Sequence, residues 1–520
     1  MGTLASRAAV VVLAGVVAIP PVRAEDEPLA KKIEAVIDAP EYKHARWGIL
    51  VVDAKTGDVV FARDPDKFTT PASVTKLFSC AAAIIAYGPD HRFETPVYRR
   101  GEVTKDGALK GDLILVASGD PSFGGRTTAD GKLAFTNSDH TYANFAPVEA
   151  ELTDTNPVAA LDALAKQVKD AGVKEVAGEV LIDDRLFTPT RGTGSGPDAV
   201  TPIVVNDNAL DIVVTPGAKP GEAATVKMRP ETSAFQMDAV VSTGEKDTPA
   251  AIALQPAGGN QFVVRGKVPV GGKTFVRIYP VEEPALFART LFIEALRRQG
   301  VRVTAPLARP AAADFPAADG YGDLPKVAAY QSAPFSELTK VTLKVSHNLY
   351  ASALPCLVAV KKGKRTAEEG LHEQRKILKE LGVDVGATSF GGGAGGSVSD
   401  GVTPRATVQL LQGMAKRPEW EPYKNGFPSL GVDGTLATAV DVGSPVKGKA
   451  LGKTGTLLWP DVMNGRGMLK SKALAGVMTT ATGRELVFAM FVNDAPLEPG
   501  VGPSREGKAL GKLCEILYGK

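Results

Sequence analysis

The sequence predicts an α+β protein in which both ends of the chain build one antiparallel sheet packed with helices, interrupted by a long β-rich insertion. Three observations carry this. Apolar, β-branched runs at 48–53 and 59–62 flank a Lys55-Thr56-Gly57 turn as a hairpin, and an apolar run at 73–87 follows as a buried helix. Runs at 473–480 and 485–492 flank Thr482-Gly483-Arg484 as a second hairpin, and a helix at 505–517 closes the chain. Between them, residues 90–325 alternate short β-rich stretches with Gly-rich turns.

The helix at 73–87 follows Pro71, contains no Gly or Pro, and stops at Gly88-Pro89, so Ser73 falls in its first turn. Inside 90–325, strands are expected at 112–117, 179–182, 210–215, 262–268 and 274–279, with helices at 157–171 and 284–299. Pro306, Pro310, Pro316 and several alanines give 304–325 linker composition, after which helices are expected at 334–361 and 366–381. The expected organisation is a leader at 1–24, a catalytic unit from 25–89 and 326–520, and the insertion at 90–325. The insertion reads as two modules, about 90–185 with 275–325, and 186–274. No repeat of solenoid period is present.

Residues 1–24 have the form of a secretory signal: Arg7, an apolar stretch over 8–19, and the small-residue cleavage site Val22-Arg23-Ala24. That stretch of about 12 residues falls short of the roughly 20 that span a bilayer, and no later stretch could span one either. An exported, periplasmic or secreted product without a transmembrane segment is expected. Without Arg7 and Arg23 the 60 basic residues become 58, equal to the 58 acidic ones, so nothing points to nucleic acid or another polyanion as partner. Cys80, Cys356 and Cys514 cannot make a disulfide framework and show no metal-ligand spacing. They read as small buried apolar residues, with a single pairing left open.

The chemistry sits in three short motifs. In Ser73-Val74-Thr75-Lys76 the helical spacing puts a hydroxyl and an amine on one face, one turn apart. A serine hydroxyl needs a base within reach, and lysine serves as one when burial and the positive end of a helix disfavour its charge. Alone, this spacing is common. Ser346-His347-Asn348 adds a hydroxyl and a carboxamide two residues apart, and Gly452-Lys453-Thr454-Gly455-Thr456 places a lysine and hydroxyls on a strand beside a glycine that permits close backbone approach. The three occur in the order found in penicillin-recognising serine enzymes.

On these motifs the chain resembles the class C low-molecular-mass penicillin-binding proteins, the D-alanyl-D-alanine carboxypeptidase/endopeptidase family, over nearly its whole mature length. Thr70-Pro71-Ala72-Ser73, Gly111-Asp112-Leu113, Gly119-Asp120-Pro121, Val205-Asn206-Asp207-Asn208, Gly431-Val432-Asp433-Gly434-Thr435-Leu436 and Phe491-Val492-Asn493-Asp494 add to the likeness. Ser73 and Ser346 stand 273 positions apart, room for the large insertion of that family and not of compact β-lactamases. The resemblance implies a serine β-lactamase/transpeptidase-like domain and peptidoglycan peptides ending in D-Ala-D-Ala as substrate. It also implies covalent inhibition by β-lactams and no cofactor or metal. It implies Ser73 as nucleophile, Lys76 as general base and Ser346 as proton relay. Asn348 would hold Lys76 and the substrate amide, and Lys453 with Thr454, Gly455 and Thr456 would bind the terminal carboxylate. The backbone N–H groups of Ser73 and Thr456 would form the oxyanion hole.

Two positions depart from the pattern. Asp400, in Gly395-Gly396-Ser397-Val398-Ser399-Asp400-Gly401, stands where family members carry an arginine that helps recognise the peptide's diamino acid. Asp198 lies where the insertion can supply a recognising carboxylate, or is an ordinary loop aspartate. His347 reads as a packing residue, and His44, His91, His140 and His372 as surface residues without metal-ligand grouping. A β-lactamase or esterase of the same fold, separated by fast deacylation, and a non-turnover penicillin-binding sensor, which releases no D-alanine, are the competing functions. The balance of carboxypeptidase and endopeptidase, and any homo-oligomer, stay open.

Overall fold

Strand Arg46–Asp53 is buried at every residue after Arg46, so both faces of the sheet it belongs to must be covered. The computed structural model describes residues 27–145, 149–307, 309–310, 314–317 and 320–520; the expected leader at 1–24 lies outside them. Because strand side chains alternate, Ile49 and Val51 face one layer and Leu50 and Val52 the other. The first layer holds Leu29 and Ile33 of helix Glu27–Ile37 and Leu510 and Leu513 of helix Ser504–Tyr518. The second holds Phe78 of helix Thr75–Tyr87 and apolar residues of helices Phe335–Lys344, Asn348–Lys361 and Pro404–Met414.

The sheet runs Ala450–Asp461, Arg466–Thr479, Glu485–Asn493, Arg46–Asp53, Val59–Arg63, antiparallel throughout, with the short Ala495–Pro496 beside Arg466–Thr479. The two hairpins legible in the sequence meet at its centre, Arg46 opposite Asn493 and Asp53 opposite Leu486. Ala450–Asp461, which carries Lys453, is an edge strand. No helix among the described residues is long and apolar enough to cross a membrane.

In the insertion, Ala108–Val116 pairs antiparallel with Glu94–Val103 and parallel with Glu175–Val176 and Val180–Asp183. Two three-stranded sheets centre on Ala209–Thr215 and Gln261–Pro269. Helices Ala159–Asp170 and Pro284–Arg298 fill the space between, and Leu113, Leu164, Leu210, Val264 and Phe292 share one apolar cluster. The two modules expected from the sequence therefore share a core. Phe275–Pro280, grouped with the outer module by position, pairs with Ala209–Thr215. Likewise Lys326–Gln331, assigned to the catalytic unit, pairs with Glu94–Val103 of the insertion. Strand periodicity reports a face and not a partner, so such pairings are invisible before folding.

The helix expected over 334–361 is two helices, Phe335–Lys344 and Asn348–Lys361. Ser346 breaks it with a left-handed backbone (φ 62°), and the His347 side chain caps the second helix by accepting the Tyr350 N–H. All three cysteines are buried and unpaired. Phe491, fully buried on the central hairpin and clustered with helix Thr75–Tyr87, tests this layer. Phe491→Ala is expected to cost about 3–5 kcal/mol in reversible urea unfolding, since the surrounding layers cannot collapse into the space.

Candidate active site

The segment ahead of Ser73 is tied to the sheet. Thr69 donates both its N–H (2.9 Å) and its hydroxyl (2.7 Å) to the Val402 carbonyl. Thr70 N–H donates to Asn493 Oδ1 (2.9 Å), and Ser471 Oγ donates to the Thr70 carbonyl (2.6 Å). Pro71 then leads into a tight 3-10 turn, Ala72–Val74, in which Ala72 is left-handed (φ 46°), and the α-helix starts at Thr75. Ser73 thus stands on a turn feeding the helix rather than in its first α-turn, which presents its side chain at the helix N-terminus.

Lys76 is fully buried, and its Nζ makes three hydrogen bonds, one to the adjoining turn and two to distant parts of the chain. It donates to Ser73 Oγ (2.8 Å), Asn348 Oδ1 (2.7 Å) and the Ala394 carbonyl (2.8 Å). Burial pushes its pKa down to about 7, with Asp400 among the charges that oppose the shift. The amine is therefore part-neutral near neutral pH and already in contact with the hydroxyl it would deprotonate.

Asn348 opens its helix at a point where the break at Ser346 turns the chain toward Lys76. Its Nδ2 donates to the carbonyl (2.9 Å) and hydroxyl (3.2 Å) of Ser195, a residue of the insertion. Ser346 is buried beside it, and its carbonyl accepts the Tyr142 hydroxyl (2.5 Å).

On the edge strand, Gly452 N–H donates outward to Pro428 O (3.0 Å), and Ala450 O accepts Leu430 N–H (2.9 Å). Backbone groups alternate sides, so those of Thr454 and Thr456 also point off the sheet's free edge. Lys453 is fully buried, with Nζ donating to Thr454 O (2.7 Å). Burial, and then the neighbouring Lys76 cation, hold it well below the ordinary lysine range. Thr454 Oγ1 meets Thr435 Oγ1 (2.7 Å), and Thr456 Oγ1 accepts from Lys472 Nζ (2.9 Å), an amine that burial lowers to about 8. A Cβ on Gly455 would stand 2.5 Å from Pro71 O, so the strand passes against the Ser73 turn only because that position lacks a side chain.

The structure thus gathers Ser73, Lys76, Ser346, Asn348 and the strand from Lys453 to Thr456 into one site. Asp198 is half-exposed and accepts from Arg191 Nη1 (2.7 Å), while Arg191 Nη2 donates to Glu282 (3.0 Å); the Asp198 loop, not its carboxylate, touches the site, through Ser195. Asp400, at the position where the resemblance leads one to expect an arginine, is committed to the backbone of its own loop. It is buried and accepts the N–H groups of Gly391 and Ser397 (both 2.8 Å), bracing the loop whose Ala394 carbonyl holds Lys76. His140, expected at the surface, is buried between Asp207 (2.7 Å) and Asp211 (2.5 Å), partners roughly seventy positions away and so unmarked by local pattern. Ser195, Ala394 and Lys472 were not singled out by sequence, and Thr435 was marked only within the Gly431–Leu436 stretch. The only signal for the first two is a pair of glycine-rich runs, 192–196 and 391–396, which interlock: a Cβ on Gly194 would strike Asn348, and one on Gly396 would strike the Thr193 carbonyl.

A half-buried serine bonded to a buried lysine at a helix start, flanked by a Ser-x-Asn turn and a Lys-Thr-Gly edge strand, defines a penicillin-recognising serine enzyme. The chain belongs to the D-Ala-D-Ala carboxypeptidase 3 (S13) family, whose profile matches residues 29–509. It is 27% identical over 459 residues to the D-alanyl-D-alanine carboxypeptidase of Actinomadura sp. (strain R39), covering 84% of this chain and 78% of that protein. It is 24% identical over 461 residues to the D-alanyl-D-alanine carboxypeptidase DacB of Haemophilus influenzae, covering 86% and 85%. The crystal structure of penicillin binding protein 4 (dacB) from Haemophilus influenzae has the same fold, with a TM-score of 0.69 at 21% identity over 94% of this chain and 98% of that one.

The contact at Gly455 gives a direct test of the geometry. Gly455→Ala is expected to displace strand and turn enough to slow acylation by a fluorescent penicillin about a hundredfold, read as a second-order rate constant on folded protein. An unchanged constant would mean that this close approach is irrelevant to the site.

Proposed function

We propose that this enzyme cleaves the terminal D-alanyl-D-alanine bond of peptidoglycan stem peptides through an acyl-enzyme on Ser73. The observation that carries the reading is the 2.8 Å hydrogen bond between Ser73 Oγ and a fully buried lysine whose pKa lies at about 7.

Neutral Lys76 takes the Ser73 proton as Oγ attacks the penultimate D-alanyl carbonyl. The oxyanion is met by the N–H of Ser73 and the outward N–H of Thr456. Ser346 passes the proton to the leaving amine. Asn348 keeps Lys76 in place through Oδ1 and gives its Nδ2 to the substrate amide in exchange for Ser195. Lys453, Thr454 and Thr456 receive the terminal carboxylate around Gly455. That anion restores the charge which burial and Lys76 take from Lys453, so substrate binding and the protonation of Lys453 reinforce each other. Water then attacks the ester and frees Ser73.

A β-lactam presents a strained amide with a carboxylate at similar distance, and acylates the same serine. Carboxypeptidase and endopeptidase action differ only in the leaving amine, a free D-alanine or the cross-linked side chain of a second stem. The leader-like residues 1–24 would carry the enzyme out of the cytoplasm to that substrate. Asp198, half-exposed on the loop that meets the site through Ser195, is the candidate contact for the stem's diamino acid, which would take the carboxylate from Arg191.

Two outcomes are expected. Wild-type protein incubated with purified cell-wall fragments releases one alanine from pentapeptide stems, or converts dimers to monomers, by mass spectrometry, while Ser73→Ala does neither and takes up no fluorescent penicillin; covalent labelling of Ser73→Ala would falsify the assignment. The second concerns pH. A base with pKa about 7 is neutral above that value, so acylation should rise with pH and level off above about 7. It should fall toward tenfold per unit at lower pH. A flat profile from pH 5 to 9 would remove Lys76 as the base.

A further inference from the structure

A buried charge cluster outside the catalytic motifs reaches the Ser346–Asn348 turn from the insertion. Arg126 stands at its centre, donating through Nη1 to Asp139 (2.7 Å) and through Nη2 to Asp207 (2.6 Å), with all three side chains at least 95% buried. His140 bridges Asp207 through Nε2 (2.7 Å) and Asp211 through Nδ1 (2.5 Å), and Arg229 donates to Asp211 (2.9 Å). Burial works against the His140 cation, but the Asp211 and Asp207 carboxylates overcome it and hold its pKa at about 10. Three cations, Arg126, His140 and Arg229, then face three anions, Asp139, Asp207 and Asp211, which is the balance that charges away from water require.

The cluster touches the catalytic motif twice. Asp207 Oδ2 lies 3.5 Å from Nε2 of His347, the middle residue of Ser346-His347-Asn348. His347 is fully buried, stacks on Tyr350 (ring centroids 3.7 Å apart), and accepts the Tyr350 N–H at Nδ1 (3.3 Å). With Nδ1 an acceptor, the neutral ring carries its proton on Nε2, toward Asp207. The second contact is the Tyr142 hydroxyl on the Ser346 carbonyl. Tyr142 ends a turn, His140–Tyr142, which Asp139 caps by accepting the Thr141 N–H (3.1 Å). Asp207 itself sits in the left-handed run Asn206, Asp207, Asn208 (φ 48°, 55°, 53°). Such a backbone persists only where its surroundings over-determine it, and the same holds for Ser346 at φ 62°.

We propose that this cluster positions the catalytic turn for acylation: Asp207 through His347, and Tyr142 through the Ser346 carbonyl, hold Ser346 left-handed so that Asn348 reaches Lys76. The inserted region is then part of the acyl-transfer machinery and not only a wall for substrate. The proposal rests on the assignment of Ser346 and Asn348 to that chemistry. Asp207 and Tyr142 are positioning residues, acting through groups they touch.

The test separates positioning from stability. Fluorescent penicillin acylation is followed by stopped flow for wild type, Tyr142→Phe and Asp207→Asn, resolving the dissociation constant of the non-covalent complex from the first-order acylation constant. Rates are normalised to folded protein by circular dichroism. Tyr142→Phe removes one hydroxyl and is expected to lower the acylation constant about tenfold with the dissociation constant unchanged. Asp207→Asn is expected to lower it further where it folds; where it does not, Tyr142→Phe decides. Wild-type acylation constants in either folded variant, or a loss matched by the fall in folded fraction alone, overturn the proposal. Ser73→Ala, run alongside, distinguishes the failures: if it too is labelled, the site assignment has failed, and if it is not while Tyr142→Phe acylates normally, only the positioning role has failed.

Discussion

The constraint on which the site depends is the burial of the Lys76 amine. An ammonium away from water costs several kcal/mol, so the group either gives up its proton or is surrounded by acceptors, and here both occur. Its three acceptors come from the turn before its own helix, from the start of a helix some 270 positions later, and from a glycine-rich loop at residue 394. Remove any of these segments and the amine loses either its partner or its dryness. The sheet, the helix break at Ser346 and the brace at Asp400 can all be understood as ways of delivering those acceptors.

Close approach is the second condition. Lys76 stays dry because glycine-rich backbone packs against it at distances no side chain would permit. A Cβ on Gly395 would lie 1.9 Å from the Ala72 carbonyl, and one on Gly393 at the same distance from the Ala351 carbonyl. The insertion joins this packing: Thr193 meets Gly392 and Gly396, and Ser195 holds Asn348. A region that looks like a separate β-rich module along the chain is thus a wall of the catalytic site. Many of its apolar residues, Phe262 and Phe292 among them, pack in a core of their own, while Phe187, Val200 and Val204 pack with the catalytic helices.

Much of this was legible beforehand. Both hairpins, the nucleophile helix and the terminal helix are strong periodic signals, because each buries a face against the same sheet and local hydrophobic pattern records that burial. The helix over 334–361 was read through Ser346 because nothing in Val345-Ser346-His347 is a breaker by type; a serine at φ 62° is imposed by what surrounds it. His140 is hidden for the same reason: a histidine among polar residues reads as surface until distant carboxylates claim it. The role of Asp400 in bracing its loop is equally unmarked, because it depends on backbone N–H groups that fold back onto it.

Residue types and their order were enough to mark Ser73, Lys76, Ser346, Asn348 and Lys453 as candidates and to point to the family, because a proposed acyl transfer calls for a nucleophile, a base and an anion site whatever the chain between them does. Tertiary structure alone decided that the Lys76 amine is dry, that its third acceptor is a backbone carbonyl at Ala394, and that the insertion reaches the Ser346 turn through Tyr142 and Asp207. Burial and long-range hydrogen bonding are properties of the packed chain, and residues hundreds of positions apart carry no mark of each other until it folds.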